Sequence, residues 1–127
     1  MRTTIRTIIL ALWLVCMHVC AANALPPVAE VGGPYLAIKD SPCFMSGIGS
    51  YDPEGMPLVY MWYYGDNHSN QTNHSNTHHT YNTAGTYQLI LRVVDSEFYY
   101  DTDTTQVIVV IWDSVDPATW GSIKKTF

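Results

Sequence analysis

Residues 58–66 read Leu-Val-Tyr-Met-Trp-Tyr-Tyr-Gly-Asp, and this stretch decides the fold of the 127-residue chain. Leu58, Tyr60, Trp62 and Tyr64 occupy every second position, so an extended strand places them on one face. A face this rich in aromatic side chains needs a core or a partner to cover it. The stretch therefore predicts a β-strand that points Trp62 into a packed core.

A second alternating stretch, residues 86–94, and a Thr- and Val-rich stretch, residues 103–111, are typical of further strands. Gly, Pro and Asp clusters separate these stretches, and nothing between them has helical periodicity. The pattern predicts an all-β domain over residues 25–111, an immunoglobulin-like antiparallel β-sandwich of two sheets. Its predicted core includes Tyr60, Trp62, Tyr87, Leu89 and Leu91.

The N-terminus has the features of a secretory signal. Arg2 and Arg6 precede the apolar run 8–15, and Ala22 and Ala24 are small residues suited to a signal peptidase. The run is too short to span a bilayer. We therefore expect residues 1–24 to be a signal helix that is cleaved, which leaves no stable membrane span and a secreted or cell-surface protein.

The charge balance of the chain excludes nucleic acid as a partner. The formal net charge is −5, and cleavage after Ala24 would leave four basic residues against eleven acidic ones. Nucleic-acid phosphates require Lys and Arg. Cleavage would also leave Cys43 as the single cysteine, so the domain would hold together through its core without an internal disulfide.

Four segments of the chain carry a resemblance to a known family. They are residues 27–35 (PVAEVGGPY), 49–58 (GSYDPEGMPL), 60–66 (YMWYYGD) and 79–87 (HTYNTAGTY). In this order and spacing they resemble a PKD domain, the polycystic-kidney-disease-type Ig-like module, over about residues 27–111. The family's Trp-Asp-Phe-Gly-Asp-Gly reads here as residues 62–67, with Tyr63 in place of the first acid and Asn67 in place of the last glycine.

The resemblance implies a non-catalytic module of an extracellular or cell-surface protein, acting as a spacer, an adhesion unit or an ancillary binding module beside an enzyme. The residues agree with this expectation, because no Gly-x-Ser-x-Gly elbow, His-Glu-x-x-His motif or phosphate-binding glycine loop is present. We expect no enzymatic activity and no obligatory cofactor.

Residues 65–80 form a polar tract that holds four of the five histidines. Imidazoles are good transition-metal ligands, but His78 and His79 are adjacent and point in opposite directions in an extended chain. We expect a solvated loop with at most a short edge strand. The tract also contains three N-x-Ser/Thr triplets for N-glycosylation, beginning at Asn67, Asn70 and Asn73.

A calcium site is a second hypothesis, for the end of the sandwich where loops 47–57 and 95–102 meet. Carboxylate oxygens are the ligands that Ca²⁺ prefers, and extracellular fluid supplies this ion. The alternative is that the acids cap turns. The candidate ligands are Asp52, Glu54, Asp95 and Glu97, with Asp101 and Asp103 nearby.

The outward face of the predicted sheet is a third hypothesis, because sandwich exteriors are normally polar and this one is apolar and aromatic. It predicts contact with an extracellular protein, or stacking of tyrosine rings on a polysaccharide. Alternatively, the linker and tail 112–127, with an amphipathic helix from Trp120, could fold back over it. The face comprises Val59, Met61, Tyr63, Ile90, Arg92 and Val94, joined by Phe98, Tyr99 and Tyr100.

Overall fold

The computed structural model describes residues 24–114, in which every regular element but one is a β-strand. The signal segment before residue 24 and the tail from residue 115, with their predicted helices, lie outside the described residues. Within 24–114, no helix has the length and apolar character needed to cross a membrane. The elements are β1 Tyr35–Ile38, β2 Pro42–Ser46, β3 Val59–Tyr63, β4 Ser69–Thr72, β5 Asn76–Thr80, β6 Gly85–Val94 and β7 Tyr100–Val110, followed by a 3₁₀ turn at Trp112–Ser114.

The strands form two sheets, which confirms the predicted all-β sandwich. Five strands pair in the order β1-β7-β6-β3-β4, and β2 pairs with β5. One pairing departs from the antiparallel expectation, because β1 runs parallel to β7. The first and last strands of the domain can pair in this way because the rest of the chain connects them.

Burial alternates along β3 and β6, so the inner faces of these central strands form the core. Trp62, Leu89 and Leu91 are completely buried, and Tyr60 is nearly so. Tyr87 is half-buried and packs against this core, with its ring 4.5 Å from that of Tyr81. The core therefore lies between the two sheets and holds β3 by its aromatic side chains.

The described residues before β1, 24–34, attach to the domain without forming a strand. Only Val28 makes a β-bridge, with Tyr51. The backbone N–H groups of Ala29 and Val31 donate instead to the carboxylates of Asp101 and Asp103, at 2.9 and 2.8 Å. Side-chain acceptors on β7 thus replace the backbone ladder that an edge strand would need.

The polar tract 65–80 is also more ordered than its composition predicts, since it contributes both β4 and β5. β4 extends the larger sheet beside β3, while β5 pairs with β2 in the other sheet. Thr77 is buried there, and its hydroxyl lies 2.9 Å from the Tyr64 hydroxyl. The expected short edge strand is present as β4, whereas the expectation of loop is wrong for β5, because backbone pairing and polar side-chain bonds order a strand that buries little apolar area.

Candidate functional site

The outer face of the five-stranded sheet brings together the residues that the alternating pattern placed outward. In the ladder between β3 and β6, Val59 lies opposite Val94, Met61 opposite Arg92 and Tyr63 opposite Ile90. All six are at least partly exposed. They form one contiguous apolar surface, which we call the outer face.

Arg92 is the cationic centre of the outer face and also part of its packing. Its guanidinium lies over the Tyr100 ring at 4.8 Å from the ring centre. Tyr100 on β7 lies opposite Val94 on β6, two residues from Arg92. Tyr100 and Arg92 are therefore diagonal neighbours on the same face of the sheet. A cation held against an aromatic ring is partly desolvated, which strengthens the interaction and fixes both side chains.

The hairpin between β6 and β7 presents two further aromatic side chains beside the outer face. Asp95 is buried, and its Oδ1 accepts hydrogen bonds from the backbone N–H groups of Glu97 and Tyr99 at 2.8 and 3.0 Å. Phe98 sits at the tip with 85% of its surface exposed and a φ of 68°. A bulky side chain is rare in this left-handed conformation, where glycine or asparagine is usual. The hairpin therefore holds an exposed phenylalanine at a backbone cost.

A groove of about 660 Å³ continues the outer face at the end of the sandwich where β3 begins. The loop before β3 and the turn after β6 form its walls, and the Ser96 hydroxyl contacts the Met56 sulfur at 3.2 Å across it. Val59 belongs to both the groove and the outer face. The other apolar residues that line the groove include Tyr51, Met56, Pro57, Leu58 and Tyr60.

Two of the four acids proposed for calcium, Asp52 and Asp95, line this groove and accept hydrogen bonds from backbone groups, whereas Glu54 and Glu97 are exposed and do not line it. Asp52 Oδ1 accepts from the N–H groups of Glu54 and Met56, both at 2.9 Å. Asp95 makes the equivalent pair of bonds in its own loop. Within the described part of the chain, none of these four acids belongs to a group of three side chains with converging metal-ligand atoms. Asp52 Oδ2 is buried and has no hydrogen-bond partner among the described residues.

The sequence pattern missed a side-chain cluster at the opposite end of β3, where Asp66 meets His68 and His79. His79 Nε2 lies 2.7 Å from Asp66 Oδ2, and His68 Nδ1 lies 3.3 Å from the same oxygen. Burial alone would raise the pKa of Asp66, but hydrogen bonds from His79 and the His68 backbone, with the charges of both imidazoles, lower it. The available signal was the histidine content of the tract, but the partner carboxylate lies thirteen residues from His79.

Gly65 allows the turn between β3 and β4 to approach the backbone of β6 closely. Its φ is 80°, and a Cβ atom there would lie 2.5 Å from the carbonyl oxygen of Gln88 on β6. Only glycine fits a position that combines this φ with such a contact. The exposed Asn67 continues the turn with a φ of 69°.

Comparison with protein families identifies the chain. Residues 24–110 match the family model described as PKD domain. This chain belongs to the PKD domain family. PKD domains are generally non-catalytic modules.

Solved structures share the fold of this PKD domain. A PKD domain of a peptidase from a Thermoplasmatales archaeon matches with a TM-score of 0.59 and 20% identity, over 68% of this chain and 98% of that one. A PKD domain of the Vibrio cholerae metalloprotease PrtV matches with a TM-score of 0.53 and 24% identity, over 67% and 98%. None of the curated proteins matches the chain.

A protein from a study of carbohydrate-binding modules of the β-sandwich superfamily matches with a TM-score of 0.67 and 22% identity. The match covers 71% of this chain but only 36% of that one, so the PKD domain corresponds to about a third of it. At these identities the likeness concerns the fold.

Proposed function

We propose that this PKD domain is a secreted, non-catalytic module that binds an extracellular or cell-surface protein through the outer face and the Phe98–Tyr100 hairpin. The proposed secretion rests on the basic and apolar pattern of residues 1–24. The family supplies the class of the protein, an accessory β-sandwich module. The exposed aromatic side chains support the choice of this surface as the contact region.

The observation that carries the proposal is the exposure of Phe98 on a rigid hairpin. The Asp95 carboxylate closes the loop by two hydrogen bonds, so little conformational entropy is lost when a partner covers the aromatic tip. Large aromatic residues beside an arginine are the side chains most often found at energetic centres of protein interfaces. Phe98, Tyr99, Tyr100 and Arg92 supply this combination within one hairpin.

The adjoining groove favours a protein as the partner. An apolar side chain or an extended segment of a partner could lie in it while the rest of the partner covers the outer face. The two surfaces are continuous through Val59. A bound polysaccharide is the second candidate, because Tyr63, Tyr99 and Tyr100 expose 36%, 46% and 59% of their surfaces and could stack on sugar rings.

Calcium-stabilised adhesion is a further candidate, and one observation favours it. The buried Asp52 Oδ2 has no hydrogen-bond partner among the described residues, and Asp52 and Asp95 both line the groove. A buried carboxylate oxygen gains most from a cation. This candidate predicts a Tm that rises with Ca²⁺ and falls with EDTA.

Site-specific photo-crosslinking in the organism that makes the protein tests the main proposal. A benzophenone side chain at position 98 should yield a crosslink to one defined protein. The same group at Thr83, an exposed residue before β6, should yield none. The purified partner should bind the unmodified domain and lose at least tenfold in affinity when Phe98 is changed to alanine.

A polysaccharide array, with Tyr99→Ala as the control variant, distinguishes polysaccharide binding from protein binding. Binding of a glycan that depends on Tyr99, without a protein crosslink, would replace the protein proposal with the carbohydrate one. If the chain gives no protein crosslink and binds no glycan, both candidates are overturned.

A further inference from the structure

The turn between β3 and β4 meets β5 at two imidazoles and one carboxylate. The three potential ligand atoms are Asp66 Oδ2, His68 Nδ1 and His79 Nε2, and all lie within 4.8 Å of one another. We propose that this cluster binds a borderline divalent transition-metal cation, with Zn²⁺ as its representative. The bound ion would connect the larger sheet, through the turn, to the smaller sheet, through β5.

The two nitrogen-to-oxygen distances are near those of a tetrahedral ion, and the two imidazole nitrogens, within 4.8 Å of each other, would settle at the same kind of separation around it. Zn²⁺ bound at its usual 2.0–2.2 Å places tetrahedral ligand atoms roughly 3.3–3.6 Å apart. His68 Nδ1 already lies 3.3 Å from Asp66 Oδ2. The 2.7 Å between His79 Nε2 and the same oxygen would open by roughly 0.6–0.9 Å, because the ion takes the place of their hydrogen bond.

His79 is held in the orientation that a ligand needs. Its ring stacks on Tyr64 with the planes 2° apart and the centres 4.1 Å apart. The Tyr81 ring meets it at 87°, with the centres 4.7 Å apart. These contacts fix the imidazole with Nε2 toward Asp66, so little is lost in ordering this ligand when the ion binds.

Asp66 and His68 are positioned by the turn itself. Asp66 Oδ1 accepts a hydrogen bond from the backbone N–H of His68 at 3.2 Å, so this oxygen holds the turn and Oδ2 faces the imidazoles. The Tyr64 N–H donates to the His68 carbonyl at 3.1 Å and closes the loop. On binding, the exposed His68 side chain has to become ordered, and the Asp66–His79 pair has to open to admit the ion.

The donor set selects the class of cation. Two imidazole nitrogens with one carboxylate oxygen favour Zn²⁺, Ni²⁺ or Cu²⁺ over Ca²⁺ and Mg²⁺, which prefer oxygen ligands. Three protein ligands leave a fourth position for water. Binding requires a lone pair on Nε2 of His79, so the proton of that atom goes to Nδ1 or to solvent.

The position of His68 favours a metal site over a contact that only stabilises the fold. Asp66 and His79 lie in segments that carry the family resemblance, so their hydrogen bond could serve the fold alone. His68 lies outside those segments and has a side chain 70% exposed, yet its Nδ1 approaches the shared carboxylate oxygen. A fold contact does not need this third group, whereas a metal site does.

Calorimetric titration of the untagged full-length chain with Zn²⁺ tests the proposal. Cys16→Ser, His18→Ser and Cys20→Ser should be present throughout, because those side chains are themselves zinc ligands. We expect one ion per chain and a Tm that rises by several degrees at saturating Zn²⁺. His68→Ala should weaken binding roughly tenfold or more and leave the metal-free Tm unchanged.

His74→Ala is the matched control, because His74 is exposed in the same tract but is not part of the cluster. It should bind Zn²⁺ as the parent chain does. The proposal is overturned if the parent chain does not bind Zn²⁺, if His68→Ala binds equally well, or if both variants lose binding equally. A Ca²⁺ response that His68→Ala abolishes would contradict the donor assignment.

Discussion

The two ends of β3 are organised around aspartates in the same kind of turn, but the carboxylates have different partners. Where β3 begins, Asp52 and Asp95 each use Oδ1 to accept hydrogen bonds from the backbone N–H groups two and four residues later. Where β3 ends, Asp66 Oδ1 accepts from the N–H two residues later, and its Oδ2 meets two imidazoles.

The difference shows that a turn does not determine what its aspartate can bind. At the first end, the carboxylates shape their own loops, and the exposed chemistry is aromatic. At the second end, the turn uses one oxygen, and β5 brings a histidine to the other. The proposed aromatic contact surface and the proposed metal site therefore lie near opposite ends of one strand.

The largest expected effect concerns the strand that joins the two ends. Trp62→Ala removes a completely buried side chain from the middle of β3. It should lower the free energy of unfolding by about 3–5 kcal/mol, measured by urea denaturation. Tyr63→Ala, on the outer face of the same strand, should cost less than about 1 kcal/mol. Equal losses in the two variants would contradict the separation of the inner and outer faces.

The aspartate-closed hairpin should give the next largest effect. Asp95→Ala removes the acceptor of two backbone N–H groups and should cost about 2–3 kcal/mol in thermal or urea unfolding. Asp95→Asn keeps an oxygen acceptor and should lose less than half as much. If the free energy of unfolding falls equally in the two variants, the charge of Asp95, and not its hydrogen bonding, stabilises the hairpin.

A smaller effect is expected at the other end of β3. Asp66→Ala should cost about 1–2 kcal/mol without metal, because it breaks the bonds to His79 and to the His68 backbone. In a double-mutant cycle with His79→Ala, the coupling energy should be about 1 kcal/mol. A coupling energy near zero would show that the contact does not link the sheets energetically.

The smallest loss of stability is expected at His68, in the turn after β3. His68→Ala should change the free energy of unfolding by less than about 0.5 kcal/mol in the presence of EDTA, because the side chain is exposed. A loss as large as that of Asp66→Ala would make His68 a structural residue. Circular dichroism melts of the two variants under the same conditions decide this point.

The strand pattern of the sequence predicted much of the fold. Period-two alternation in residues 58–64 and 86–94 indicated which side chains face the core, and these side chains are buried or packed against it. Turn residues such as those of Asp52-Pro53-Glu54-Gly55 marked where strands end. These features are local, so neighbouring residues are enough to reveal them.

The polar strands were harder to predict because their order comes from distant partners. β5 has no apolar alternation, and its residues become a strand by pairing with β2. Likewise, the N–H groups of Ala29 and Val31 find acceptors 72 residues away on β7. Neither arrangement leaves a periodic signal in its own segment.

The sequence by itself determined the sandwich class, the buried face of β3 and the family of the domain, since these depend on spacing within short segments. It took the folded chain to bring Asp66 to His79 and Arg92 over Tyr100, and to turn Asp52 and Asp95 toward the backbone of their own loops. Such contacts join residues on different strands, and their distances depend on strand register. A sequence shows which chemical groups are available, but the packing of the two sheets determines which of them meet.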